Sequence, residues 1–379
     1  MQLGNERILT THVGSLQRPA GLLDLVVKKS AGSPVDEQEF ARLLASAVGD
    51  VVSQQIRAGI DIINDGEFSK ISYSTYVTER FSGFGGRAPD VRVMDVAAFP
   101  SFAKIREQSA FVRSNCIAKV ERRNAGPARI DAQNLGNALA GMKPHASFLT
   151  AASPGLVAMF LPNRYYATHD AYLSDLVQAL RPEYETIMEA GFDLQLDCPD
   201  LGVGRHSEYS GDTDREFRIR SEAAIEALDA ATKGFPAERM RMHLCWGNYP
   251  GPHHLDLPVE HILPLVFKAR PAGISFEGAN PRHEHEWEVF RDLRLPDGKY
   301  IIPGMIDTTT LFIEHPRLVA QRIERYAELV GRERVVAGVD CGFATIANRP
   351  GNMDPAISWK KLESLVEGAR IASAALWKR

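Results

Sequence analysis

Four cysteines in 379 residues are too few for a disulfide framework. Their scarcity points to a reducing, cytoplasmic setting in which a cysteine serves as metal ligand or catalyst. No apolar run approaches the 18 residues of a membrane helix, and Met1–Arg7 lacks the apolar core of a signal peptide. These features argue against a membrane partner. No basic stripe appears either, and a net charge of −4 with a pI near 6.3 argues against a nucleic-acid partner. With 44% hydrophobic and 24% charged residues, the composition is that of an ordinary globular chain.

What is present alternates. Short apolar runs read as strands at 8–13, 60–63, 146–150, 192–197, 240–245, 273–277, 299–307 and 334–341. Helical spacing follows at 36–58, 168–190, 214–233, 258–269, 285–292, 316–331 and 357–377. About eight strands alternating with helices predict an α/β fold, a (β/α)8 TIM barrel forming one domain over 1–379. The less regular stretch 78–145 reads as an insertion rather than as barrel wall. An open doubly wound sheet would require a glycine-rich fingerprint after the first strand, and His12-Val-Gly-Ser-Leu-Gln is a poor match.

Polar residues gather at the predicted C-terminal strand ends: Gly14, Ser15, Glu67, Asp197, His243, Cys245, Glu277, Asp307 and Cys341. In a barrel that rim carries the chemistry. His243 and Cys245 are two residues apart on a strand and point the same way. Alone they are a weak signal, since buried His and Cys more often fill cores. Cys341 and Glu277 at two further strand ends complete an S/S/N/O donor set that suits Zn2+. A structural zinc site would more commonly use cysteines a few residues apart, so a catalytic zinc is expected. Zinc deprotonates a bound thiol, and the thiolate is the nucleophile. Cys116 and Cys198 read as buried filling. His12 is a candidate proton donor beside Ser15, with a packing role equally open. His283 and His285 read as solvated, Arg282 as a possible anion clamp, and His253-His254 as a surface loop or lid.

The ordered motifs resemble the cobalamin-independent methionine synthase family, in its catalytic barrel. Thr10-Thr11-His12-Val13-Gly14-Ser15 is similar to the family's Thr-Thr-x-x-Gly-Ser opening, and Asp65-Gly66-Glu67-Phe68 to its His-Gly-Glu-Phe. Gln195-Leu196-Asp197-Cys198-Pro199 is similar to its Gln-x-Asp-Glu-Pro. The resemblance implies that Gly14, Ser15, Glu67 and Asp197 bind the substrate and that His243, Cys245, Glu277 and Cys341 hold zinc. One departure stands out: Thr309 occupies the place of the family's general-acid histidine, which argues against methyl-folate as donor and leaves His12 or Asp307 to handle protons. Stand-alone members, epoxyalkane:coenzyme M transferases among them, look closer. The expected activity is transfer of a methyl or alkyl group to a small thiol, homocysteine-like or coenzyme M-like, activated as a zinc thiolate. The acceptor and the donor are the expected partners, alongside a possible homo-oligomer. Thiol addition to an epoxide is the alternative. A zinc-dependent lyase or hydrolase that activates water, and a non-catalytic thiol or metal binder, also remain open.

Overall fold

The computed structural model describes residues 3–4, 6–106, 113–123, 126–349 and 353–378. Eight short parallel strands carry the architecture: β1 (Leu9–Thr10), β2 (Ile62–Ile63), β3 (Ala146–Ala152), β4 (Asp193–Asp197), β5 (Met240–His243), β6 (Gly273–Phe276), β7 (Tyr300–Pro303) and β8 (Val336–Ala337). Strands β2 to β7 form one sheet in sequence order, and β1 pairs with β8. Isolated parallel bridges join Thr11 to Ile62, Ile301 to Val335 and Gly304 to Gly338, across the two edges of that sheet. This is an α/β fold with a parallel half-barrel sheet, consistent with a TIM-like barrel.

Local sequence explains the helices. Asp36 accepts the amides of Gln38 and Glu39 to start helix Glu37–Ala58, and Gly59 ends it at φ 85°. Thr213 and Glu216 form a capping box at the head of Asp214–Ala231. Helices His169–Glu189, Val259–Val266 and Pro316–Val330 also fall within the expected windows, and Pro355–Leu376 begins two residues before its window of 357–377. The stretch expected as helix 285–292 is instead a 3-10 segment, Glu286–Arg291, whose N-cap His285 makes no side-chain cap. With no cap to anchor its first turn, the segment takes the tighter spiral.

The 78–145 stretch divides, which corrects its reading as an insertion alone. Phe81–Gly85 pairs antiparallel with Asn115–Arg122, and Met94–Ala97 and Pro100–Arg106 are short helices outside the sheet. Helix Gly126–Ala138, in contrast, packs between Glu37–Ala58 and His169–Glu189 and supplies the helical layer outside β2 and β3. Its buried face is mostly small (Ala128, Ala132, Leu135), which weakens the apolar periodicity. Arg80 ties the wall together, pairing with Asp131 at 2.6 Å and with Glu183 at 2.9 Å. Residues 107–112 and 124–125 of this stretch lie outside the described residues.

Inside the sheet, Leu9, Ile62, Phe148, Ile302 and Val336 make one apolar layer. Above it lies a buried polar layer. Arg241 donates to Gln195 Oε1 (2.8 Å), Thr11 Oγ1 (2.9 Å) and the His12 carbonyl (2.8 Å), with its guanidinium over the Phe148 ring. That layer supports the strand ends.

Candidate metal and thiol site

Register brings the first residues together. Ala152, Asp197, His243 and Ser275 are successive partners across β3 to β6, so Asp197 and His243 are neighbours at the same level. Two residues beyond His243, Cys245 meets Cys341, which follows β8; their sulfurs are 3.6 Å apart. Donor atoms of His243, Cys245 and Cys341 all lie within 4.8 Å of one another, and all three residues are buried.

These residues fit a metal. Two sulfurs about 2.3 Å from one zinc ion at the tetrahedral angle stand about 3.8 Å apart, close to the observed spacing. Among the described residues, neither ring nitrogen of His243 has a hydrogen-bond partner, although the ring is buried. A buried imidazole is normally satisfied, so an orphan beside two thiols is what a missing cation leaves behind. Cys245 is pushed well below the usual thiol range, first by the hydrogen bond it shares with Cys341, while burial opposes the shift. Cys341 is pushed up by that same contact and by burial.

Glu277 follows β6 and is buried. Its Oε1 accepts the Trp246 amide (2.7 Å) and its Oε2 accepts from Asn280 Nδ2 (2.8 Å). Burial, then the Cys245 charge, raises its pKa well above the ordinary value. Asp340 shapes the turn behind it, accepting the amides of Gly278, Ala279 and Asn280 at 2.8–2.9 Å. Glycine is required next to Cys341. A Cβ at Gly342 would lie 2.0 Å from Ser15 Oγ, so the absent side chain is what lets Ser15 sit over the metal loop.

A cavity of about 790 Å³ opens onto this cluster, with Ser15, Glu67, Asp197, His243, Cys245 and Cys341 all on its wall. Gly14 has φ 151°, and a Cβ there would lie 2.3 Å from Glu67 Oε1. Glu67 itself sits at φ 59°, held by Asp65 Oδ1 accepting its amide and by Arg18 donating to its carbonyl. Its Oε2 is buried and, among the described residues, without a partner. Asp197 Oδ1 accepts from Gln195 (2.9 Å). Burial and then the Glu67 charge raise Asp197 to about 7. Two facing carboxylates with spare acceptor capacity suit a cationic group.

Other expectations meet a different geometry. His12 is not on the cavity wall. Its Nε2 is hydrogen-bonded to Gln55 Oε1 (2.7 Å), and burial lowers its pKa to about 4, so the ring is neutral near pH 7. Asp307 is also away from the wall. Its Oδ1 accepts the Thr309 amide and hydroxyl, both at 2.7 Å, in a tight turn. His283, expected in solvent, is buried between Asp256 (3.0 Å) and Glu286 (2.7 Å). Burial opposes its protonation, but both carboxylates raise it to about 10. Asp256, the partner that completes the burial, lies 27 residues upstream, so only Glu286 was within local reach. His285 and Arg282 are exposed. His253 pairs with Asp256 (2.8 Å) rather than swinging free. Tyr73, read from sequence as either a pocket or a packing residue, lines the cavity, whereas Tyr249, Asn248 and Arg349 on the same wall were missed, as was the 90–104 segment, whose Val93 and Val96 close one side.

Comparison with known proteins places the chain in a family. The family model described as cobalamin-independent synthase, catalytic domain, matches residues 8–352, and the chain belongs to that family. A methionine synthase of Saccharolobus solfataricus is 23% identical over 378 residues, spanning 98% of this chain and 96% of the relative. One from Thermococcus kodakarensis is 24% identical, spanning 96% and 92%. Among solved structures, a B12-independent methionine synthase from Shewanella sp. W3-18-1 in complex with selenomethionine is similar, with TM-score 0.76 and 20% identity, covering 98% of this chain and all of that one. A further one from Listeria monocytogenes has TM-score 0.65 at 19% identity. At these identities the structures speak to the fold.

Proposed function

We propose that this chain transfers a methyl or alkyl group to a small thiol, homocysteine-like or coenzyme M-like, inside a closed (β/α)8 barrel. His243, Cys245, Cys341 and Glu277 would hold Zn2+. The observation that carries the reading is one cavity that presents a sulfur and imidazole cluster next to two facing carboxylates. Membership of the synthase family supports the same reaction class. Bound zinc supplies a positive charge that lowers the pKa of a coordinated thiol into the physiological range.

The chain's own residues do the rest. For an amino-acid thiol, Glu67 and Asp197 hold the ammonium group, and Ser15 and the Gly14 backbone hold the acceptor's other end. Glu277 would be the most weakly held donor, because hydrogen bonds from Trp246 and Asn280 already satisfy its two oxygens. The acceptor sulfur then attacks the electrophilic carbon as the leaving group departs with the bonding pair. Tyr73, Tyr249 and the 90–104 segment keep water from the reacting atoms.

A second reading, addition of the thiol to an epoxide, is favoured by one observation. Thr309 stands where the family's general acid is expected, and its hydroxyl is committed to Asp307. An electrophile other than methyl-folate suits that arrangement. One screen separates the readings: homocysteine and mercaptoethanesulfonate against methyl-folate, methylcobalamin and small epoxides. Turnover that needs a thiol supports transfer. Turnover of the electrophile without a thiol would instead indicate a water-activating lyase or hydrolase.

A further inference from the structure

A second group of metal-ligating side chains lies apart from the sulfur cluster. Asp95, His206 and Asp256 place donor atoms within 4.8 Å of one another, all buried. They come from three separate places: the short helix Met94–Ala97, the 3-10 turn Val203–His206 after β4, and the loop after β5. His206 and Asp256 are each only 3% exposed, yet among the described residues neither ring nitrogen of His206 nor Oδ1 of Asp256 has a hydrogen-bond partner. Buried polar atoms are rarely left so.

The spacing explains the orphans. His206 Nε2 and Asp256 Oδ1 are 3.4 Å apart, long for a charged hydrogen bond. It is also about the 3.4 Å edge that two ligands about 2.1 Å from one cation subtend at the tetrahedral angle. The remaining oxygens are anchored. Asp256 Oδ2 accepts from His253 Nδ1 (2.8 Å) and His283 Nε2 (3.0 Å), while Asp95 Oδ2 accepts from Tyr249 (2.6 Å) and the His253 amide (2.8 Å). Outer contacts of this kind orient the carboxylates of metal sites.

We propose that Asp95, His206 and Asp256 bind a divalent first-row transition cation, separate from the ion of the sulfur cluster. One imidazole and two carboxylates suit Mn2+, Fe2+, Co2+ or Zn2+ better than Ca2+ or Mg2+. The cation fastens the 90–104 segment over the cavity. Asp95 sits between Val93 and Val96, which line that cavity, and its two fellow ligands sit on rim loops that line it from the other side through Val203 and Tyr249. The sulfur cluster then works under a roof pinned from behind.

The test uses Mn2+ alone and the full-length chain carrying Cys245→Ser and Cys341→Ser. This background removes the sulfur donors, so failure of the proposed function cannot mimic failure of this site. Free Mn2+ is counted by electron paramagnetic resonance. The expected result is saturable binding of one Mn2+ per chain, weakened by about 100-fold or more when His206→Gln or Asp256→Asn is added. The exposed His261→Gln should leave binding unchanged. Mn2+ should also slow proteolytic cleavage within 90–104. If either variant fails to fold, electron spin echo modulation of the Cys-to-Ser background decides: a histidine nitrogen on Mn2+ supports the site, and none overturns it. No saturable binding, or equal binding in both folded variants, overturns the proposal.

Discussion

Cys245 and Cys341 lie 96 positions apart in the chain and hold their sulfurs 3.6 Å apart across the rim of the sheet. One follows β5 and the other β8, so the pair exists only when these two strands, not neighbours in the sheet, share one rim. The contact between the two sulfurs shows how closely the two loops converge.

Next to Cys341, Asp340 ties the loop after β8 to the turn after β6. It collects the amides of Gly278, Ala279 and Asn280 and thereby sets the turn that presents Glu277. Asp340→Ala leaves these donors unsatisfied, at about 1–3 kcal/mol each where they stay buried. The predicted outcome is a lower melting temperature together with metal affinity weakened by about 10–100-fold. Thermal unfolding and competition with a chelator check both.

Binding of the thiol should depend on pH through Asp197. Burial and the nearby Glu67 hold its carboxyl at about 7, so it is largely protonated at pH 6 and largely ionised at pH 8. The ionised form pairs with an ammonium group. KM for an amino-acid thiol should therefore fall as pH rises from 6 to 8. In Asp197→Asn that part of the pH dependence disappears and KM stays high. Initial-rate measurements across this range, in both proteins, are sufficient.

Arg80 should matter to stability rather than to chemistry. It is buried, with Asp131 and Glu183 as ion-pair partners on two different helices. Arg80→Met leaves two buried carboxylates uncompensated, which costs about 3–5 kcal/mol for a broken buried pair. Urea denaturation should show that loss. In the folded fraction kcat should hold within about twofold, because surviving native molecules keep the site.

His12 should contribute no proton-transfer limb. Burial lowers its pKa to about 4, so the ring loses its proton far below the working range. The folded protein disfavours the charged ring, and stability should therefore fall as pH drops from about 6.5 toward 4. His12→Asn should reduce that acid sensitivity while leaving the shape of the kcat profile between pH 6 and 9 unchanged. Acid titration followed by circular dichroism, with a parallel rate profile, reads both effects.

Much of this was readable from the residues. Strand runs ending in polar residues located Asp197, His243, Cys245, Glu277 and Cys341 on one rim, because β-strand alternation and parallel register follow directly from pattern. Helix limits followed caps such as Asp36 and Gly59. What escaped depends on distant partners. Helix Gly126–Ala138 hides its buried face behind alanines, glycines and asparagines. His283 is charged and buried only because Asp256 and Glu286 meet it in space. His12 lies within a motif that resembles the family's, yet Gln55 on a neighbouring helix takes its ring away from the cavity.

The central claim is that the His243, Cys245 and Cys341 cluster binds zinc and presents a thiol to an electrophile. Zinc X-ray absorption on the loaded protein, before and after adding homocysteine or mercaptoethanesulfonate, tests it most directly. The account predicts two sulfur ligands before and three after, with metal lost in Cys341→Ser. Unchanged sulfur coordination on adding either thiol, or zinc retained at full stoichiometry in Cys341→Ser, would contradict it.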